Sequence, residues 1–198
     1  MSELFPILDA ALASTTERSG EWLACRPGCH ACCVGVFAIS QMDAETLRTA
    51  LEQTEAGVAD RVRRRAAAAW ARLSATFPGD RESGLLCTQP QHEEAFAEFA
   101  NDEPCPVLDP ETGTCDLYAA RPVQCRTFGP PMRDEDRNLT VCELCFVAAP
   151  TEEVERCEMD QSWRRLEDEG IAAAEERSGR HGETLIAFAL GGVVRGTQ

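Results

Sequence analysis

Eleven cysteines in a chain of 198 residues are the feature of this sequence that could carry chemistry. Thiols act as redox groups and nucleophiles, and as thiolates they are ligands for zinc, for iron and for iron–sulfur clusters. An odd number of cysteines cannot pair completely, and the short spacings between several of them are typical of ligands. We therefore expect most of them to bind metal.

Four of the cysteines occupy nine consecutive residues, which read Cys25-Arg-Pro-Gly-Cys29-His-Ala-Cys32-Cys33. On a straight helix Cys25 and Cys32 would lie about 10 Å apart, whereas thiolates on one zinc ion lie about 4 Å apart. Pro27 and Gly28 break the helix and let the chain bend around a metal. Neighbouring side chains diverge, so Cys32 and Cys33 seldom bind one ion together. One of the two is then left for a second metal, another iron of a cluster, or no ligand role.

Three more cysteines follow at equal spacing in the middle of the chain, namely Cys105, Cys115 and Cys125. Each interval contains a chain reversal, at residues 109–113 and 117–121, so the three thiols can converge. Arg121 and Arg126 flank the last of them and are predicted to offset the negative charge of a thiolate centre.

A third set of cysteines lies beyond this region. Cys142-Glu-Leu-Cys145 has the spacing of a metal knuckle and also of a redox dithiol, but no alternation of strands and helices surrounds it. Cys142 is the stronger ligand candidate, the role of Cys145 is left open, and Cys87 and Cys157 are interpreted as inert core thiols. The predicted metal ligands are Cys25, Cys29, Cys32, Cys33, Cys105, Cys115, Cys125 and Cys142.

These motifs together resemble a known family. Cys25-x3-Cys29-x2-Cys32-Cys33, followed by Cys105-Pro-x-Leu, Gly113-x-Cys115-x-x-Tyr118 and Arg121-Pro122-x-x-Cys125-Arg126, is similar to the YkgJ-type cysteine-cluster family of zinc- or iron-chelating domains. The resemblance implies metal binding inside the cell through these cysteines. The cysteine pattern is also similar to that of flagellin lysine-N-methylase, which suggests an iron–sulfur centre. This sequence is much shorter and no methyl-donor domain is evident in it, so we do not carry the methylase activity over.

The spacing favours an iron–sulfur cluster over zinc or iron ions. Structural zinc usually comes with paired two-residue spacings, which the core motif lacks, whereas a three-residue gap and adjacent thiols suit a multi-iron centre. An iron–sulfur enzyme is the alternative, with redox or electron-transfer, radical S-adenosylmethionine-like or methylase-related chemistry. Whether the chain is an enzyme, and which protein partner it has, stay open.

Charge and composition exclude several other functions. The net charge is −15, which disfavours nucleic-acid binding, and every basic residue is arginine, so lysine-dependent chemistries have no residue to carry them. Arg61, Arg63, Arg64 and Arg65 are interpreted as a solvated helix face paired with local acids. Neither a secretion signal nor a membrane-spanning stretch is evident, so we expect a cytoplasmic protein that does not bind membranes.

The elements that must position these cysteines are predicted to be mainly helical. We expect one domain over 1–198, an irregular cysteine-rich core over 25–126 with little or no sheet, and a helical extension over 142–198. Helices are predicted from a Ser2 cap to before Gly20, in a hairpin over 42–77 broken at Gly57, and over 93–100, 151–177 and 183–194. Residues 34–39 are a strand or an extended link.

Overall fold

The structure is a computed structural model that describes residues 3–26, 28–134 and 136–192. The chain forms two compact units, which we call the first unit (Met1–Cys29 with Val123–Ala172) and the second unit (His30–Pro122 with Ala173–Gln198). The extents predicted for a single domain, its core and its extension stay predictions.

Helices dominate the described residues, and each of the three sheets is a hairpin of two short antiparallel strands, which confirms the predicted class. The helices are α1 Leu4–Ser19, α2 Gln41–Gln53, α3 Ala56–Leu73, α4 Pro90–Ala97, α5 Val123–Thr127, α6 Thr151–Arg156, α7 Arg164–Ser178 and α8 Ile186–Gly191. The strands are β1 Gly79–Asp80, β2 Leu85–Leu86, β3 Leu108–Asp109, β4 Thr114–Cys115, β5 Met132–Arg133 and β6 Leu139–Thr140.

In the first unit, α1 packs against the short helix α5. The helix ends before Gly20, as predicted, whereas the predicted cap Ser2 lies outside the described residues. Its side chains Leu4 and Leu8 are buried. Arg126 of α5 is buried and forms an ion pair with Asp9 of α1.

The predicted helix over 151–177 is wrong in its middle, because α6 and α7 are separate helices. Between them the chain buries Cys157, Met159 and Trp163. The Met159 amide donates to the Pro131 carbonyl at 2.8 Å and the Trp163 indole donates to the Asp160 carbonyl at 2.8 Å. Tertiary burial of these three side chains therefore overrides the local helical preference.

In the second unit, α2 and α3 pack against α8 around a core that includes Leu47, Val62 and Ile186. The helical hairpin is confirmed, but its break lies at residues 54–55 and α3 ends at Leu73. Glu55 causes the break, because its carboxylate accepts the amides of Gly57 and Val58 and so begins α3 before Gly57.

The remaining elements differ from the predictions mainly in their ends. Helix α4 begins and ends three residues earlier than predicted, and α8 covers part of the final predicted helix, whose residues 193–194 lie outside the described ranges. Residues 34–39 form an extended link with two isolated bridges, Val34–Pro104 and Ile39–Thr184. Within the described ranges, none of the helices combines the length and the apolar character needed to cross a membrane.

Candidate metal centre

The first unit brings together Cys25, Cys29, Cys142 and Cys145, which we call the first thiol group. Cys25 and Cys145 share a side-chain hydrogen bond, as do Cys142 and Cys145. Cys29 and Cys145 each close a turn of the backbone. The Cys29 amide donates to the Arg26 carbonyl at 2.9 Å, and the Cys145 amide donates to the Cys142 carbonyl at 2.8 Å.

Backbone contacts hold the two turns of the first thiol group side by side. The Phe146 amide donates to the Trp22 carbonyl at 2.7 Å, and Cys145 is 3% exposed within an apolar cluster that includes Leu23 and Phe146. Gly129 lies directly against the Cys25 sulfur, because a Cβ atom at that position would be 2.3 Å from Sγ. A glycine is therefore required there for the sulfur to keep its place.

Burial and thiol neighbours raise pKa values in the first thiol group. Loss of solvation, together with the neighbouring thiols Cys145, Cys29 and Cys142, raises the pKa of Cys25 to about 12. Burial is also the main cause that raises the pKa of Cys142. Thiols in this state carry protons at neutral pH, and a metal ion would have to displace them on binding.

The second unit brings together Cys32, Cys33, Cys105 and Cys115, the second thiol group. Cys32 and Cys33 lie in the 3-10 turn Ala31–Cys33, and the Cys105 amide donates to the Cys33 carbonyl at 2.8 Å. The β3–β4 hairpin pairs Cys115 with Leu108, whose amide donates to the Cys105 carbonyl at 3.0 Å.

Burial dominates two of the pKa shifts in the second thiol group. It raises the pKa of Cys105 to about 12 and also raises that of Cys115, where the nearby charge of Arg121 acts in the opposite direction. The pKa of Cys32 falls to about 6, chiefly because the Cys33 thiol donates a hydrogen bond to its sulfur. The second thiol group thus contains one sulfur, that of Cys32, with a lowered pKa beside two, those of Cys105 and Cys115, whose pKa values are raised.

Arg65 supports the loop that carries the second thiol group, and sequence reasoning missed it. From α3 it donates to the Pro106 carbonyl at 2.8 Å and forms an ion pair with Asp116, a residue adjacent to Cys115. The prediction of a solvated helix face paired with local acids fits Arg63, which forms an exposed ion pair with Asp60. For Arg65 it is wrong, since both partners of its ion pair are largely buried.

The two flanking arginines differ in what they contact. Arg121 stacks on the Tyr118 ring at 4.1 Å and donates to the Tyr118 carbonyl, and its charge opposes part of the rise in the pKa of Cys115. Its predicted role in offsetting the charge of a thiolate centre stays a prediction. Arg126 instead has Asp9 as its ion-pair partner and lies over the Phe5 ring at 4.6 Å. Its predicted role in offsetting a thiolate centre stays a prediction.

Three cysteines lie outside the two groups as defined. Cys125 is partly buried in α5, in the first unit, whereas Cys105 and Cys115 belong to the second, and its ligand role stays a prediction. Cys157 is fully buried and donates from sulfur to the Arg18 carbonyl at 3.4 Å, as a core thiol would. Cys87 is partly buried beside the β1–β2 hairpin.

The donor chemistry of both groups suits zinc or iron, since four thiols match the ligand number of a structural zinc ion and of an iron–sulfur cluster. The side chains of the two groups, however, are not arranged around a common point as the ligands of one metal ion would be. Within residues 3–26, 28–134 and 136–192, no three Cys, His, Asp or Glu side chains are arranged to hold a metal ion. The sulfurs would have to draw together, and lose protons, on binding. Fold and donors define a helical protein with clustered cysteines.

Comparison with protein families identifies this class more closely. Residues 24–146 match the CxxCxxCC family, described as "Putative zinc- or iron-chelating domain". The match covers more than half of the chain, and the chain belongs to this family. It extends past Cys125 to include Cys142 and Cys145. Comparisons with curated proteins and with solved structures find no match.

Proposed function

We propose that this chain binds metal through its clustered cysteines and that the bound group is an iron–sulfur cluster. The observation that carries the proposal is that eight thiols lie in two sets of four, although they come from three separate stretches of sequence. Membership of a zinc- or iron-chelating family supports metal as the ligand. The proposed ligands are these eight thiols, which are seven of the eight predicted from sequence together with Cys145, and Cys125 stays a predicted ligand outside the two groups.

Adjacent cysteines favour iron–sulfur chemistry in the second thiol group. Neighbouring side chains diverge in regular structure, so adjacent cysteines suit different irons of one cluster better than a single tetrahedral ion. In this 3-10 turn the Cys33 thiol lies close enough to the Cys32 sulfur to donate a hydrogen bond, a proximity that two irons of one cluster also allow. Zinc is favoured by one opposing feature, the Cys142–Cys145 turn of the first thiol group, whose two-residue spacing is that of a zinc knuckle.

Anaerobic purification followed by metal and acid-labile sulfide analysis tests the proposal. Iron and sulfide in similar amounts, together with a visible absorption band that dithionite bleaches, would support an iron–sulfur cluster. Stoichiometric zinc without iron would refute the cluster while leaving metal binding intact. The absence of both metals would refute metal binding itself.

Single substitutions connect the metal to the proposed ligands. Cys29→Ser should lower the metal content, whereas Cys87→Ser is a matched control that should leave it unchanged, because Cys87 belongs to neither thiol group. Cys125→Ser tests the one predicted ligand that the two groups do not include. Equal metal content in all three variants would contradict the assignment of ligands.

A further inference from the structure

We infer that the cysteine motif does not build one centre but is divided between two, which load with metal independently. This inference rests on the proposed function, since it takes for granted that metal is bound. The division falls between Cys29 and Cys32. The first thiol group combines Cys25 and Cys29 with Cys142 and Cys145, and the second combines Cys32 and Cys33 with Cys105 and Cys115.

Two consecutive turns make this division possible. The Cys29 amide closes the first turn on the Arg26 carbonyl, and the Cys33 amide closes the second on the His30 carbonyl at 2.8 Å. The boundary between the two compact units falls between Cys29 and His30. A motif that looks continuous in sequence is therefore shared, with two cysteines in each unit.

The partners of each half come from different parts of the chain. Cys25 lies within hydrogen-bond distance of Cys145, and the Gly129 backbone lies against the Cys25 sulfur. In the second half of the motif, the Cys105 amide donates to the Cys33 carbonyl, and the adjacent residues Val34 and Pro104 form a β-bridge. Each half of the motif thus has its own second pair of thiols, held by its own backbone contacts.

Each thiol group contains as many thiols as one metal centre needs. A structural zinc site and a cubane iron–sulfur cluster each take four protein ligands, and each thiol group offers four sulfurs without borrowing from the other. A single shared centre would leave about four of the eight thiols without a ligand role. Two centres use all eight and give Cys145, whose role the spacing left open, a definite place.

Paired variants outside the motif test the division. Cys142→Ser removes a ligand from the first thiol group only, and Cys115→Ser removes one from the second only. Metal and sulfide per chain are measured in the anaerobically purified wild type, in each variant and in the double variant, with Cys87→Ser as the control. We expect each single variant to lose about half of the bound metal, the double variant to lose nearly all of it, and the control to lose none.

Two results would overturn the inference. If either single variant loses all metal while its circular dichroism stays native, one shared centre holds the metal. If Cys142→Ser and a second first-group variant, Cys25→Ser, both keep the full content, the first thiol group binds none. Cys32→Ser serves in the same way for the second group should Cys115→Ser fail to fold. A wild-type chain without metal would instead refute the proposed function, so the two failures can be told apart.

Discussion

Replacing Gly129 with alanine should disable the first thiol group by displacing one sulfur. The new Cβ would lie 2.3 Å from Cys25 Sγ, whereas ordinary contacts of this kind begin near 3.4 Å. Sulfur or backbone must therefore retreat by about 1 Å, several times the roughly 0.2 Å tolerance of a metal–ligand bond. Because Sγ ends an exposed side chain, it can move by rotation about the Cα–Cβ bond, and an off-rotamer side chain of this kind costs about 0.5–1.5 kcal/mol in the metal-free protein.

A double-mutant cycle separates this clash from other effects of the substitution. In a Cys25→Ala background the sulfur is gone, and the nearest remaining atoms are Leu23 Cδ1 at 3.5 Å and the residue-25 Cβ at 3.6 Å, both ordinary contacts. Gly129→Ala should then cost less than about 0.5 kcal/mol, which leaves a coupling energy of about 0.5–1 kcal/mol.

The assay is thermal or urea unfolding of the reduced, metal-free chains, together with metal analysis of the chains as purified. A loss of 1 kcal/mol should lower the melting temperature by about 2–4 °C in a chain of this length. Gly129→Ala in the Cys25→Ala background is the matched control, since there its Cβ would meet only ordinary contacts. If Gly129→Ala costs the same with and without the Cys25 sulfur, the reasoning is wrong.

Three further predictions concern the supports of the two groups. Arg65→Gln should lower the free energy of unfolding of the second unit by about 1–3 kcal/mol, because it leaves the largely buried Asp116 without its ion pair. The control Arg63→Gln, at an exposed ion pair, should lower it by less than about 1 kcal/mol. Equal losses for the two variants in denaturant unfolding would contradict this prediction. Cys157→Ser should lower the melting temperature with unchanged metal per folded chain, since the thiol is buried outside both groups. A competing chelator should release metal in two phases, the first from the first thiol group with its exposed Cys25 and Cys29, and a single phase would count against two centres.

Local features of the fold could be predicted from the sequence because they depend on local chemistry. The stop of α1 before Gly20 and the helical hairpin follow from glycine placement and apolar spacing. The break between α6 and α7 could not be foreseen in this way. It depends on the burial of Trp163 and on the Met159 amide reaching a carbonyl far away in sequence.

The candidate ligands were largely visible in the sequence, but their grouping was not. Spacing indicates that Cys29 and Cys32 belong to one motif, yet the turns that assign them to different units depend on backbone hydrogen bonds. Cys145 carried a weak signal, the two-residue spacing to Cys142 followed by the apolar Phe146. Arg65 carried none, because its partners lie more than forty residues further along the chain.

The two groups should contribute differently to stability, because metal bound to them would close chain loops of different lengths. The first unit consists of two chain segments separated by residues 30–122, and the first thiol group joins one segment to the other. The second thiol group joins positions within one continuous segment. The entropy that a cross-link removes from the unfolded chain grows with the length of the loop that it closes. Metal that joins Cys29 to Cys142 would close a longer loop than metal that joins Cys33 to Cys105, so we expect the first unit to depend on its metal more than the second unit, whose helices α2, α3 and α8 already share an apolar core.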